Sequence, residues 1–263
     1  MISKLSNIHP DAKIGANVTI DAFSTVYGDV VIGEGTWVGP NVTIFDGARI
    51  GKNCKIFPGA VISAIPQDLK YQGEITTTEI GDNCTIREMV TVNKGTLALG
   101  KTVVGNNCLL MAYVHIAHDC IIGNNVILAN SVNLAGHVTI DDFAILEGYV
   151  GVSQFIRIGA HSFIGGQTGV RKDVPPFTKA AREPLSFAGI NSVGLKRRGY
   201  DTTSINIIQD VYRILYTKGY STRNALDIIE KEIPSSPHKD EIIQFIKSSE
   251  RGIMRGYSGV DGE

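Results

Sequence analysis

Along most of this chain an aliphatic side chain returns at every sixth position. Ile8, Ile14, Ile20, Val26, Ile32, Val38, Ile44, Ile50, Ile56 and Ile62 form one series, and Ile80, Ile86 and Val92 a second. Val104, Leu110, Ile116, Ile122, Leu128, Leu134, Ile140, Leu146, Val152, Ile158, Ile164 and Val170 form a third. A period of six fits neither the 3.6 of a helix nor the alternation of a half-buried hairpin. It is the period of a hexapeptide β-helix, in which each hexad supplies one short strand and one corner. Three hexads make a coil of 18 residues with the shape of a triangular prism. Coils stacked at about 4.8 Å give a rod on the order of 40 Å long. Glycine often follows the aliphatic (Gly15, Gly33, Gly51, Gly123, Gly159), and asparagine often sits three places after it (Asn17, Asn53, Asn83, Asn107, Asn125). Both tolerate corner conformations that other residues resist.

Two stretches interrupt the period. Residues 63–79 include Pro66-Gln67-Asp68-Leu69-Lys70-Tyr71-Gln72-Gly73, and residues 93–103 include Asn93-Lys94-Gly95-Thr96. Loops ejected from a rigid solenoid commonly build binding sites. The period predicts a rod over 1–176 closed by Asp173-Val174-Pro175-Pro176, an irregular connector over 177–200 and a helical domain over 201–263. Asp201 and Ser221 suit helix N-caps, Ser236-Pro237 is a cap followed by proline at the first helical position, and Gly252 is a plausible stop.

The formal net charge of −1 over 263 residues provides no global basic field for nucleic acid or an anionic membrane. No basic leader or long apolar run suggests a signal peptide or a spanning helix, so the cytoplasm is the default expectation. Cys54, Cys84, Cys108 and Cys120 fall in the slot that elsewhere holds Val18, Val126 and Val138, and they read as small core residues.

Candidate chemistry concentrates in His115-Ile116-Ala117-His118-Asp119-Cys120. Residues 18 apart stack on successive coils, so His118 lies against Gly136, Gly136 against Gln154, and His115 against Asn133. A histidine beside a glycine of the next coil faces a bare backbone N–H. Asp119 can orient an imidazole. The competing readings are solvated corner histidines and a three-histidine zinc site like that of γ-class carbonic anhydrases. Lys196-Arg197-Arg198, near Asn191, is either a solvated face or a diphosphate site.

Taken in order, the motifs identify a resemblance. Gln67-Asp68-Leu69-Lys70-Tyr71, Asn93-Lys94-Gly95-Thr96, the histidine segment, Leu134-Ala135-Gly136-His137-Val138, Gln154-Phe155, Asp173-Val174-Pro175-Pro176 and Gly194-Leu195-Lys196-Arg197-Arg198-Gly199 resemble the UDP-N-acetylglucosamine O-acyltransferases of lipid A biosynthesis, over essentially the whole chain. The resemblance implies a left-handed parallel β-helix and a cytoplasmic homotrimer with sites between parallel rods. It implies transfer of a 3-hydroxyacyl chain from acyl carrier protein to the 3-hydroxyl of UDP-N-acetylglucosamine, with no cofactor or metal. By position it implies that His118 is the general base and the Gly136 N–H an oxyanion donor. Asp68, Lys70, His115, His137 and Gln154 then hold the sugar nucleotide and neighbouring groups, while Asn191, Arg197 and Arg198 contact the uridine diphosphate end or the donor. Gly166, stacked on Gly148, matches the residue that sets acyl length. Val193, Ser153 and Pro184 depart from the pattern of the best-known members, at the nucleotide end, beside Gln154 and near the acyl path. Other readings are an N-acyltransferase of the same pathway, whose extra N-terminal domain has no room ahead of Ile8, a zinc hydratase, and an ice-binding rod, which needs flat threonine arrays.

Overall fold

A computed structural model describes residues 1–256 of the chain. Its rod is a left-handed parallel β-helix. Strands of mostly two residues assemble into three sheets, one per face. The first face carries the strands that contain Ile8, Val26, Ile44, Ile62, Val92, Ile116, Leu134, Val152 and Val170, and the second carries those ending at Ile14 through Ile158. The third carries those ending at Ile20 through Ile164 and continues into Thr178–Ala181 and Ser186–Ile190. Register pairs residues 18 apart, as in Asn7 with Thr25 and Ile116 with Leu134.

The hexad aliphatics fill the interior, and from Ile20 through Val170 each is buried. β-Branched side chains suit this arrangement because each strand is a pleated surface packed on one face. All four cysteines are free and buried. They line the same core, and Cys54, Cys84, Cys108 and Cys120 donate their S–H groups to carbonyls of the next coil, those of Gly81, Gly105, Gly123 and Ala135. The corner asparagines Asn17, Asn53, Asn83, Asn107 and Asn125 take φ between 54° and 59°, the left-handed region that asparagine tolerates best after glycine.

The two excursions are shorter than the broken period suggests. Val61–Ala64 and Thr77–Ile80 stay in strands, as do Thr91–Asn93 and Lys101–Val104. Only residues 65–76 and 94–100 therefore leave the rod. The stretch expected to be an irregular connector is ordered. Thr178–Ala181 adds a parallel strand to the third face, Ser186–Ile190 pairs with it antiparallel, and Ser192–Arg197 forms helix α1. No hexad announces these elements, because an antiparallel edge strand obeys no coil register.

Asp201, Ser221 and Ser236 cap α2 (Thr202–Thr217), α3 (Thr222–Glu232) and α4 (Pro237–Lys247). Helix α4 ends before the expected stop at Gly252. The chain instead returns to the rod, where Ile253 bridges Asp173 and Arg255 bridges Ser186. Tyr212 of α2 is wholly buried and donates to the Pro176 carbonyl, which ties the helices to the end of the rod.

Candidate active site

The corner between the first and second faces carries the chemistry. His118 follows the strand His115–Ile116, and its ring is buried. Its Nδ1 lies 2.7 Å from Asp119 Oδ2. An Nδ1–H donated to the carboxylate leaves the Nε2 lone pair free to accept a proton. Asp119 is 1% exposed and fully engaged. It accepts from the Thr96 N–H at 3.0 Å, the Thr96 hydroxyl at 2.7 Å and the Leu99 N–H at 3.2 Å. Burial works to raise its pKa, but the bonds from Thr96 and His118 outweigh burial and hold it below the usual carboxylate range. The 94–100 excursion thus acts as a clamp that keeps Asp119 ionised beneath the imidazole.

On the next coil lies Gly136, whose absent side chain is required. A Cβ there would sit 2.6 Å from His118 Cε1 and 2.7 Å from Nε2. Its N–H donates to no group among the described residues. His137 packs edge-on against His118 with centroids 5.2 Å apart, its Nε2 is 3.7 Å from Asp119, and it stacks on Phe155 at 4.6 Å. Burial lowers the pKa of both His137 and His115, so both rings favour the neutral form. Asp119, His137 and Phe155 take φ of 59°, 63° and 65°, conformations that cost non-glycine residues roughly 1–2 kcal/mol each. The same left-handed φ recurs at corners along the rod, from Asn17 to Gln167, so it belongs to the coil turn that presents these side chains.

The 65–76 excursion places Asp68 Oδ2 4.0 Å from His118 Nε2. Asp68 also accepts from the Lys70 N–H, which tightens the turn and leaves the Lys70 side chain exposed. His115 Nδ1 pairs with the Thr91 hydroxyl at 2.7 Å, and Gln154 follows Gly136 on the same edge in an exposed position.

The remaining candidates lie elsewhere on the prism. Asn191 is buried and caps α1, accepting from the Gly194 N–H and donating to the His161 carbonyl. Arg198 donates to the Phe143 carbonyl and lies over that ring at 5.2 Å. Phe143 and His161 belong to the corner between the second and third faces. Arg197 is exposed beside them, and Val193 is exposed in α1. Gly166 stacks on Gly148 at the corner between the third and first faces, as the Gln167 N–H bond to the Gly148 carbonyl shows. Within the chain the three groups of candidates occupy three different edges.

Sequence reasoning missed Thr96 and Leu99 as partners of Asp119. It also missed Arg251, which returns from the C-terminal segment to lie 4.9 Å over the Phe155 ring. His118, Asp119 and His137 bring ligand atoms within 4.8 Å of one another, the spacing of a metal site. Asp119 already accepts three bonds besides that of His118, so its lone pairs are committed and the donor set fits an imidazole–carboxylate pair better than zinc. Cys120 is no nucleophile: burial pushes its thiol up to about 12, and its S–H is held by the Ala135 carbonyl.

Comparison with known proteins gives the family. A bacterial transferase hexapeptide model matches residues 11–46, 29–64 and 101–136. A model described as UDP N-acetylglucosamine O-acyltransferase, domain 2, matches residues 173–254. An acyl-[acyl-carrier-protein]--UDP-N-acetylglucosamine O-acyltransferase from Thermodesulfovibrio yellowstonii is 46% identical over 97% of this chain and 99% of its own length. One of the same name from Aquifex aeolicus is 58% identical over 74% of this chain and 75% of its own. The crystal structure of a UDP-N-acetylglucosamine acyltransferase from Bacteroides fragilis superposes with a TM-score of 0.96 at 51% identity, covering 97% of this chain and all of that one.

Proposed function

Because the chain belongs to the UDP-N-acetylglucosamine O-acyltransferase family, we propose that it moves a 3-hydroxyacyl chain from acyl carrier protein to the 3-hydroxyl of UDP-N-acetylglucosamine, with His118 as the base. The observation that carries this reading is the His118–Asp119 pair set against the bare backbone of Gly136.

A sugar hydroxyl is a weak nucleophile at neutral pH. His118 Nε2 takes its proton as the oxygen attacks the thioester carbon, and the imidazolium that forms is stabilised by ionised Asp119. The Gly136 N–H points a dipole at the oxyanion of the tetrahedral intermediate. Collapse breaks the C–S bond, and the leaving thiolate recovers the proton from His118. No covalent acyl-enzyme is involved, in keeping with the protonated, hydrogen-bonded state of Cys120. Asp68, Lys70, His115, His137 and Gln154 form the wall around the sugar. Asn191 sets α1 so that Arg197 and Arg198 meet the diphosphate, where bidentate guanidinium contacts are strong.

The working unit in this reading is a homotrimer. Base, basic triplet and acyl-length glycine sit on three edges of one prism, and copies packed side by side would bring edges of different chains to one cleft. Between the third and first faces, Phe23, Met89, Tyr113 and Tyr149 project into solvent from left-handed positions, at 65%, 49%, 62% and 67% exposure. A ridge of exposed apolar residues is the mark of a surface that another chain covers. No helix among the described residues is long and apolar enough to cross a membrane, and the four free thiols suit the cytoplasm.

The test is to incubate the protein with UDP-N-acetylglucosamine or its 3-amino analogue and a ladder of 3-hydroxyacyl carrier proteins, and to weigh the products. An ester on the UDP-sugar supports the reading. Hydrolysis of the donor with no acylated sugar sinks it.

A further inference from the structure

Helix α1 carries the basic triplet at its C-terminal end, yet it is only six residues long, too short to hold its own shape and direction. One residue of the rod, His161, fixes it at both ends. Ahead of the helix, the His161 carbonyl accepts from the Asn191 side chain at 2.9 Å, and that side chain caps α1 by accepting from the Gly194 N–H. Beyond the helix, Gly199 turns the chain at φ 85°, and the Tyr200 N–H returns to the Leu195 carbonyl. The turn presents the Tyr200 hydroxyl to His161 Nε2 at 3.1 Å. Arg198 lies between these two anchors. It rests on Phe143, through a bond to the carbonyl at 3.2 Å and through its guanidinium 5.2 Å over the ring.

The imidazole is itself held firmly. It stacks between Phe143 at 4.9 Å and Phe177 at 5.7 Å, one coil to either side, and Phe177 is wholly buried. Burial above all, and then the Arg198 charge, depresses its pKa, so the ring is neutral and does not repel the guanidinium. His161 Nδ1 is buried and finds no partner among the described residues. A phenylalanine would keep the stack without burying an unpaired nitrogen, so stability alone does not account for histidine here. What the imidazole adds is a polar edge that reaches Tyr200. The transfer chemistry at His118 uses none of this, because His161 lies on another corner of the prism, between the second and third faces.

We infer that His161 is the positioning residue for Arg198: its carbonyl and its Nε2 clasp α1 from both ends and so aim the guanidinium at the diphosphate of the UDP-sugar. The inference rests on the diphosphate contact proposed above. His161 acts through Arg198 and not by touching the substrate, so its effect falls on acceptor binding and spares the chemical step.

The experiment measures steady-state kinetics for both substrates, and the binding of UDP alone by calorimetry. His161→Phe and Tyr200→Phe each break the bond between Nε2 and the hydroxyl from one side and keep the rings in place. Each raises KM for the UDP-sugar and weakens UDP binding by roughly three- to tenfold, the worth of one neutral hydrogen bond. Their kcat and their KM for the carrier-bound donor stay near wild type. The two changes together cost no more than either alone. His161→Gln, whose carboxamide can still bond a hydroxyl, stays close to wild type. In an Arg198→Ala background, His161→Phe leaves KM for the UDP-sugar where it was, which a merely structural role would not do. Unchanged KM and UDP affinity in both single variants overturn the inference. So does a fall in kcat alone, or an equal effect of His161→Phe with and without Arg198. Tyr200→Phe removes a single hydroxyl and decides the matter if His161→Phe does not fold. Wild-type protein that acylates no UDP-sugar sinks the transfer reading itself, whereas an active wild type with unmoved variants sinks only this inference.

Discussion

At the scale of single residues, the site is an imidazole whose every neighbour restricts it. Asp119 fixes one nitrogen, His137 closes one side, and the absence of a side chain at Gly136 is what lets the ring lie where it does. Gly136→Ala places a methyl inside van der Waals distance of the ring. Its kcat should fall by roughly 10²-fold or more, while its melting temperature stays within a few degrees of wild type, because the corner is outside the aliphatic core. Wild-type turnover in this variant would mean the glycine serves only the turn. The contact was legible from the sequence because stacking at 18 residues is a property of the coil. The asparagine stacked on His115 was legible for the same reason. Thr96 was not legible as a partner of Asp119, because a loop outside the register is positioned by what it touches and no spacing rule reaches across it.

At the scale of elements, the 94–100 excursion and the aromatic corner carry separate predictions. Thr96 supplies two of the bonds that depress Asp119. Thr96→Val keeps the N–H and removes the hydroxyl, so the Asp119 pKa rises toward its ordinary value. The carboxyl signal of isotope-labelled Asp119 should then titrate at higher pH than in wild type, read by NMR. An unmoved Asp119 titration would show that this bond does not set the ionisation.

At the aromatic corner, His161 stacks between Phe143 and Phe177 and pairs with the Tyr200 hydroxyl. Burial, aided by Arg198 and His238 and opposed by Asp142, lowers it from 6.5 to about 4. The unfolded chain therefore binds a proton between those pH values that the folded chain refuses. Stability is full above about 6.5 and declines as pH falls toward 4. His161→Phe keeps the stack and removes the titration, so its melting temperature should fall less between pH 7 and 5 than that of wild type. Parallel curves would place the acid sensitivity elsewhere. The helix caps Asp201, Ser221 and Ser236 were plain in the sequence. The strands Thr178–Ala181 and Ser186–Ile190 were hidden, because no hexad marks them.

At the scale of the whole molecule, the sequence motifs came from three edges that a linear reading places side by side. The period fixes which corner a residue occupies, yet only the assembled faces show that His118, Arg198 and Gly166 cannot meet within one rod. Arg251, arriving over Phe155 from the far end of the chain, was invisible for the same reason of distance. The site sharing between protomers proposed above makes a sharp prediction. His118→Ala protomers lack the base, and Arg198→Ala protomers are nearly silent at low UDP-sugar. Co-assembled from unfolded mixtures, the two variants should recover activity that neither shows alone, since some clefts receive an intact His118 and an intact Arg198 from different chains. Activity no greater than the sum of the separate variants would confine the site to one protomer.

Everything above turns on His118 being the base for direct transfer to the sugar. The most direct measurement is the single-turnover rate at which UDP-N-acetylglucosamine gains the acyl mass, compared between wild type and His118→Ala at saturating donor and acceptor. The variant should lose roughly 10²–10⁴-fold in rate, with an unchanged melting temperature and no acylated protein at any time point. A variant that keeps more than about a tenth of the wild-type rate, or a protein that carries the acyl group before the sugar does, would contradict that role.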